Sequence, residues 1–320
     1  MKFRTIGLTI SYLAMTLGAC TNQNTESKES SGLEQQSVAV LRDVLAEQAE
    51  WVKVHAAEYL IWAGHPEGVK DVFLQEEKQS GTKSPYRIGI WRVLAQAATS
   101  DAEKKIWTDK IMAAFTDTLG TDRIHAAETL AKLRIAPGPE EKVLTENTLN
   151  SPVKPLALYT KWSVAFISTD SLKMAPSRFL EMIGEKPGEP ADRIIPAYAL
   201  RQLKGLSEKE WELLTQAALS EPAASPARIY LLSAAFTNVP ANLPPQAARQ
   251  IHTEIVKYKT SASKGEISEM AAALAEKGTK EDIALLEPLL TKAEQLTSDT
   301  DRADVAAAAA HAILRINKKQ

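Results

Sequence analysis

The chain has 320 residues, of which 24% are charged, and a formal net charge of −2 at pH 7. Such a balanced charge excludes a general nucleic-acid binder, whose binding domain is strongly basic, so we expect no nucleic-acid partner. Cys20 is the single cysteine, which excludes a framework of internal disulfides.

Residues 1–19 have the pattern of a signal peptide. Lys2 and Arg4 form a positive region, and the apolar stretch 6–17 follows; it is too short to span a bilayer, which needs about 20 apolar residues. The sequence LGAC at 17–20 resembles the lipobox of bacterial lipoprotein precursors. The resemblance implies cleavage before Cys20, lipidation of that residue and a bacterial source. An ordinary secretory signal peptide cleaved nearby is the alternative.

Residues 20–37 are predicted to form the lipidated cysteine and a disordered tether, because 21–37 are polar and contain no aromatic residue. The acyl chains of a lipoprotein would hold this end at a membrane. In enterobacterial lipoproteins an Asp after the cysteine signals retention in the inner membrane. Thr21 stands at that position, so the resemblance favours the outer membrane of the cell envelope, with the periplasmic and the surface face both open.

Residues 38–320 carry an internal repeat. The segments DRIHAAETLAKL at 122–133 and DRIIPAYALRQL at 192–203 share a pattern at an offset of 70 residues, which is two periods of about 35. The register recurs through one apolar anchor in each repeat: Val54, Ile88, Ile124, Leu156 or Leu158, Ile194, Ile229, Ile267 and Val305. Helix-forming residues dominate and alternating strand patterns are absent, so the sequence predicts an all-α fold.

Turn signals divide the repeats into pairs of helices. Gly64 and Gly278 each stand between two helical patterns. Ser-Pro pairs at 84–85, 151–152 and 225–226 predict helix starts, with serine as the cap and proline in the first turn.

Two segments, VKVHAAEYLIWAGHPEGV at 52–69 and MAAALAEKGTKEDIALLEPLL at 270–290, resemble the short bacterial type of HEAT repeat. The resemblance implies an α-solenoid of about eight HEAT-like helical pairs over 38–320, stacked as a curved rod. Tetratricopeptide repeats have nearly the same length, but their signature residues do not appear at this period.

A column of basic residues precedes the anchors. Its members are Lys53, Arg87, Arg123, Arg193 and Arg228, with Lys154 as a further candidate. In a solenoid these positions stack along one face. One interpretation is a ladder of ion pairs with acids such as Asp122 and Asp192. The other is a cationic stripe that binds an anionic ligand, such as a sulfated or uronic-acid glycan, since arginine suits carboxylate and sulfate.

Two further features favour structural roles. His55 and His125 each precede a glutamate by three residues, a spacing that places both side chains on one helix face. The HEAT-repeat enzyme deoxyhypusine hydroxylase binds di-iron through adjacent His-Glu pairs, and this chain has no His-Glu dipeptide, so we expect no metal site and no cofactor. The six tryptophans are expected in the core rather than in a sugar-stacking platform.

No catalytic motif occurs in the sequence, which has neither G-x-S-x-G nor H-E-x-x-H nor a phosphate-binding or dinucleotide fingerprint. We therefore predict no catalytic residue. The sequence favours a membrane-anchored lipoprotein that serves as a scaffold for an envelope protein partner. The alternative is a glycan-binding or anionic-ligand-binding component of an envelope uptake or degradation system, and an unrecognised enzyme is a third hypothesis.

Overall fold

The structure is a computed structural model that describes residues 20–167, 172–184 and 189–319. The predicted signal peptide, 1–19, lies outside these residues. In the described part the chain forms sixteen α-helices and no strand, so the predicted all-α class is confirmed. Among these helices, none combines the length and the apolar composition needed to cross a membrane.

The helices follow one another with short connections. They are α1 (Cys20–Glu47), α2 (Glu50–Ala63), α3 (Val69–Ser80), α4 (Tyr86–Ala97), α5 (Asp101–Thr116), α6 (Arg123–Lys132), α7 (Lys142–Leu149), α8 (Lys154–Val164), α9 (Pro176–Gly184), α10 (Ala191–Leu203), α11 (Glu208–Ser220), α12 (Arg228–Thr237), α13 (Arg249–Ile255), α14 (Lys264–Lys277), α15 (Lys280–Leu286) and α16 (Asp299–Lys318). The Ser-Pro pairs precede α4, α8 and α12, which begin one or two residues after the proline. The predicted serine caps are wrong, because the N-cap residues are Pro85, Val153 and Ala227.

The even-numbered helices form an inner layer and the odd-numbered helices an outer one. Each even-numbered helix packs on the next even-numbered helix, while the odd-numbered helices pack against them from outside. Burial agrees with this arrangement. Inner helix α4 buries every residue from Tyr86 to Ala95 except Arg87, whereas outer helix α3 buries only Val69 and Phe73. A helix that is buried nearly all round belongs in the centre of a fold.

The predicted anchors all fall in inner helices. Val54, Ile88, Ile229, Ile267 and Val305 have no exposed surface. The two candidates for the weak repeat, Leu156 and Leu158, lie together in α8, and both are buried. Ile124 and Ile194 are half-buried. The 35-residue register of the sequence therefore identifies the inner layer.

The two ends of the chain meet. Helix α16 packs on α14, its predecessor in the inner layer, and also on α1 and α2. A 2.8 Å contact between Nδ1 of His55 and Oδ1 of Asp304 joins α2 to α16. The inner layer is thus a closed ring, which differs from the curved rod with free ends that stacking of repeats implies. The run of buried alanines at 306–310 in α16 allows close approach of neighbouring helices on several sides.

Helix α1 differs from the predicted tether. It begins at Cys20 and runs through the segment 21–37 that composition predicts to be disordered. Its second half explains part of the difference, because Ser37 and Leu41 are fully buried and Leu33 and Val38 pack against the core. These positions follow the spacing of a helix face. Lipidation of Cys20 stays a prediction.

Candidate functional site: a cavity on the axis of the ring

The inner helices surround a cavity of about 590 Å³. Its lining comes from α2, α6, α10, α14 and α16, mostly from the second half of each helix, so these helices point the same way and finish at the cavity. The lining residues are His55, Glu58, Tyr59, Trp62, Lys132, Arg134, Tyr198, Arg201, Gln202, Lys204, Ala272, Ala275, Glu276, Ala308, His311 and Arg315. We call this side of the ring the open end.

The lining is rich in cations, with five lysine or arginine side chains against two carboxylates. Both carboxylates have cationic partners. Glu58 accepts hydrogen bonds of 2.7 and 2.9 Å from the Arg92 guanidinium below the cavity. Glu276 accepts from Lys204 at 2.5 Å and from Arg201 at 3.3 Å.

The pair formed by Glu58 and Arg92 is the most deeply buried charge in the site. The two side chains are 4% and 2% exposed, respectively. Burial opposes ionisation of Glu58, but the charge of Arg92 and its hydrogen bonds outweigh burial and hold the pKa of the Glu58 carboxyl below its usual value. Both groups are therefore ionised at neutral pH and are bound to each other.

The remaining cations of the lining fall into two groups. Lys132 lies 2.7 Å from Glu128, and Arg201 lies 3.0 Å from Glu269. Arg134 and Arg315, by contrast, have no ion-pair partner among the described residues. Arg315 reaches only the carbonyl oxygen of Trp62, at 3.5 Å. Two guanidinium groups at the open end are thus free of acidic partners.

Two of the cations stand on strained backbone. Arg134 and Lys204 each have φ of 59°, in the left-handed region that favours glycine. Lys204 combines this with ψ of −177°, a region that is almost restricted to glycine. Gly64 occupies the corresponding position after α2, with φ of 90°, and the three residues are spaced 70 apart in the sequence. The chain therefore places a long cationic side chain twice at a position where glycine carries no strain.

Three aromatic rings line the side of the cavity formed by α2 and α16. Tyr59 and His311 are stacked with centroids 4.7 Å apart, and Trp62 meets both rings edge-on at 5.8 and 5.7 Å. Trp62 is 44% exposed, and its Nε1 donates to Oε1 of Gln96 at 2.7 Å. The cavity thus has an aromatic side with one partly exposed tryptophan.

His311 is neutral at physiological pH. Burial lowers the pKa of its imidazole to about 3, and the nearby charges of Arg315 and Arg201 add to the effect. Its Nε2 is buried and has no hydrogen-bond partner among the described residues. A neutral imidazole can donate from one nitrogen and accept at the other, so this nitrogen is a buried polar atom with an unused hydrogen-bonding capacity.

The predicted basic column lies at the opposite side of the ring, in the first turns of inner helices. Its members have these partners: Lys53 with Glu76 at 2.7 Å, Arg87 with Asp122 at 2.5 Å, Lys154 with Asp192 at 2.7 Å, Arg193 with Glu221, and Arg228 with Glu254 at 3.2 Å. Arg123 donates instead to the carbonyl oxygen of Phe115 and to Oγ1 of Thr148, at 2.8 and 2.7 Å. We call this side the paired end. Its geometry favours the ion-pair interpretation of the column over the ligand-binding stripe.

The two histidines of the repeat have different neighbours. His55 contacts Asp304 as described above, while the His125 ring stacks on Trp51 with centroids 5.3 Å apart and lies 3.8 Å from a Glu128 oxygen. In the described residues, no group of three or more His, Cys, Asp and Glu side chains is close enough to hold a metal ion.

The tryptophans follow the expectation of core packing with one exception. Trp91, Trp107, Trp162 and Trp211 are buried, and Trp51 packs against the core. Trp62 is the exposed one and lines the cavity.

Sequence reasoning missed most of the cavity. No motif marks Tyr59, Tyr198, His311 or Arg315. Tyr59 comes together with His311 and Arg315 only when α16 meets α2, and Tyr198 joins them from α10. The positions of Arg134 and Lys204 could have been recognised from the sequence. They occupy the repeat position of Gly64, so aligning the repeats beyond their helices would have revealed charge where the turn prefers glycine.

The comparisons with known proteins give no match: no family model fits the chain, and no curated protein or solved structure is significantly similar to it.

Proposed function

We propose that this chain is a lipid-anchored protein of the bacterial envelope whose HEAT-like helical pairs bind a small anionic ligand in the axial cavity. The observation that carries the proposal is that two guanidinium groups, those of Arg134 and Arg315, have no acidic partner among the described residues, in a cavity whose carboxylates are already neutralised. A volume of about 590 Å³ lies within the range of pockets that hold small molecules, about 300–1,000 Å³.

The backbone supports the same proposal. A non-glycine residue in a sparsely populated backbone region costs on the order of 1–3 kcal/mol and tends to occur at functional sites. Cations near helix C-termini also interact favourably with the helix dipole, by about 0.3–1 kcal/mol. That interaction explains Lys132, in the last turn of α6, but it does not require the left-handed backbone of Arg134.

The closed ring favours this ligand-binding function over a scaffold. An open solenoid offers a partner protein a long concave surface, whereas here the inner faces of the helices surround a cavity. Binding is also favoured over catalysis. The pKa of His311, about 3, is too low for an efficient general base near neutral pH, and Glu58 and Glu276 are engaged in ion pairs.

The experiment replaces the strained cations by glycine. We expect Arg134→Gly and Lys204→Gly each to raise the free energy of unfolding by about 1 kcal/mol, because glycine relieves the strain. The same variants should bind anions at least tenfold more weakly in isothermal titration calorimetry, with D-glucuronate, phosphate, sulfate and AMP as probes. The control is Glu50→Gly at the paired end, where φ is 52°, which should leave affinity unchanged. The proposal is wrong if none of these anions binds, or if both cavity variants bind them as the parent protein does.

Attachment to the membrane needs a separate test. Lipidation at Cys20 predicts that the protein sediments with bacterial envelopes and that Cys20→Ser moves it to the soluble fraction. If the Cys20→Ser protein stays with the membranes, the anchor is not at this cysteine.

A further inference from the structure

The cavity has two chemically different sides. Tyr59, Trp62 and His311, from α2 and α16, form the aromatic side. Lys132, Arg134 and Lys204 stand at the ends of α6 and α10 and supply cations. Two regions of different chemistry in one cavity suit a ligand that is itself divided into an apolar face and an anionic group.

Trp62 offers a ligand one exposed ring face, which we call the platform, and among the residues that the structure describes no second parallel ring stands opposite it. Its ring makes angles of 67° and 61° with the rings of Tyr59 and His311, so neither of them lies parallel to it. Tyr59 and His311 stack on each other instead, at an interplanar angle of 13°. One exposed aromatic face with polar groups around it suits the apolar face of a sugar ring.

Neutral hydrogen-bonding groups complete the lining. Burial raises the pKa of the Tyr59 hydroxyl, to which nearby negative charge such as that of Asp304 adds, so this group stays protonated. His311 is neutral, and Gln202 adds an amide. Such groups are suited to the hydroxyls of a sugar, each of which both donates and accepts.

The carboxylates of the cavity add hydrogen-bond acceptors to its lining. Glu58 and Glu276 line the same space as the cations. Both are held in ion pairs, and carboxylate oxygens can also accept hydrogen bonds from the hydroxyl groups of a ligand. A ligand with one carboxylate and several hydroxyls satisfies both the cations and these acceptors, and the planar guanidinium of Arg134 or Arg315 matches a carboxylate with two parallel hydrogen bonds.

We infer that the axial cavity binds a sugar acid, a pyranose that carries a carboxylate, with its apolar face on Trp62 and its carboxylate at the cations of the open end. This inference rests on the proposed function and specifies its ligand class. The volume of about 590 Å³ leaves room for more than a single sugar unit, since pockets of this size hold drug-sized molecules.

The test is calorimetric titration of the purified protein with D-glucuronate, D-galacturonate and N-acetylneuraminate. D-glucose serves as the matched neutral sugar, and phosphate and AMP serve as the other anions. We expect at least one sugar acid to bind at least tenfold more tightly than glucose, phosphate and AMP. Trp62→Ala should weaken that binding about tenfold and Trp62→Phe much less, because phenylalanine keeps an aromatic face.

The control variant is Ile106→Ala, which removes a similarly exposed apolar side chain, 55% exposed, from outer helix α5. It should not change the affinity. Should Trp62→Ala fail to fold, Trp62→Phe and Arg315→Ala still report on the platform and on the cations.

Each outcome separates the two proposals. If phosphate or AMP binds more tightly than every sugar acid, the sugar-acid inference is wrong, but the proposed anion binding in the cavity still holds. If the parent protein and Trp62→Ala bind a sugar acid with equal affinity, Trp62 does not contact the sugar. Absence of binding by every anion would overturn both the inference and the proposed function.

Discussion

The two ends of the ring differ in whether all of their basic residues have partners. At the paired end, cations in the first turns of inner helices meet a carboxylate or a carbonyl oxygen of a neighbouring element, as Arg87 meets Asp122. At the open end, Arg134 and Arg315 meet no carboxylate among the described residues. Three other cations of the open end are also in ion pairs. The contrast between the two ends therefore rests on Arg134 and Arg315, and not on the presence of charge.

The largest effect is expected at the buried pair formed by Arg92 and the cavity residue Glu58. Arg92→Leu leaves the Glu58 carboxylate, 4% exposed, without its partner, and should lower the free energy of unfolding by about 3–5 kcal/mol. Urea denaturation measures this loss. The double variant Glu58→Leu with Arg92→Leu removes both charges and should recover most of it. A loss below about 1 kcal/mol for Arg92→Leu would contradict the view that this pair is part of the fold.

The next prediction compares one arginine from each end. Arg87→Ala leaves the Asp122 side chain, 1% exposed, unpaired and should cost about 2–3 kcal/mol of stability without changing ligand affinity. Arg315→Ala should cost less than about 0.5 kcal/mol and should weaken anion binding at least tenfold. Paired measurements of thermal unfolding and calorimetric titration check both. If Arg87→Ala and Arg315→Ala lose the same amount of stability, the proposed difference between the two ends is wrong.

A third prediction concerns pH and the open end. The folded-state pKa of His311, about 3, lies below the ordinary value of about 6.5. Between these two values the unfolded chain binds the proton and the folded protein does not, so stability falls as pH falls. From pH 7 to pH 5, the parent protein should therefore lose about 1–2 kcal/mol more than His311→Phe.

The other titrating groups do not disturb this measurement. His252 has a raised pKa because of its hydrogen bond to Asp282, and its effect has the opposite sign, since it stabilises the fold at low pH and loses this effect as pH rises. It is present in both proteins and cancels in the difference. Identical pH dependence of the two proteins would show that folding does not change the pKa of His311.

The smallest effect is expected from an exposed pair at the paired end. Lys83 and Glu50 contact each other, but their side chains are 57% and 47% exposed. Exposed pairs contribute about 0–1 kcal/mol, so Lys83→Ala should change the free energy of unfolding by less than about 0.5 kcal/mol. A loss as large as that of Arg87→Ala would mean that burial does not decide which pairs of this end stabilise the ring.

Much of the inner layer could be predicted from the repeat. Val54 and Ile88, at the same repeat position, are both fully buried in consecutive inner helices, because a helix that packs on both neighbours needs an apolar residue at that position. The prediction for 21–37 missed the helix there, since Leu33 and Val38 are too few to be recognised as a buried face until the core they contact is known.

The sequence by itself determined the helical class, the period of the repeat and the placement of its anchors, because these depend on local spacing and helix propensity. The tertiary structure decided that α16 meets α2, since ring closure depends on small rotations summed over many repeats, which no single segment encodes. Closure also brings His311 to Tyr59 and collects the ends of five inner helices around one cavity. The candidate site exists only through those long-range contacts, whereas the paired cations could be recognised from a local repeat position.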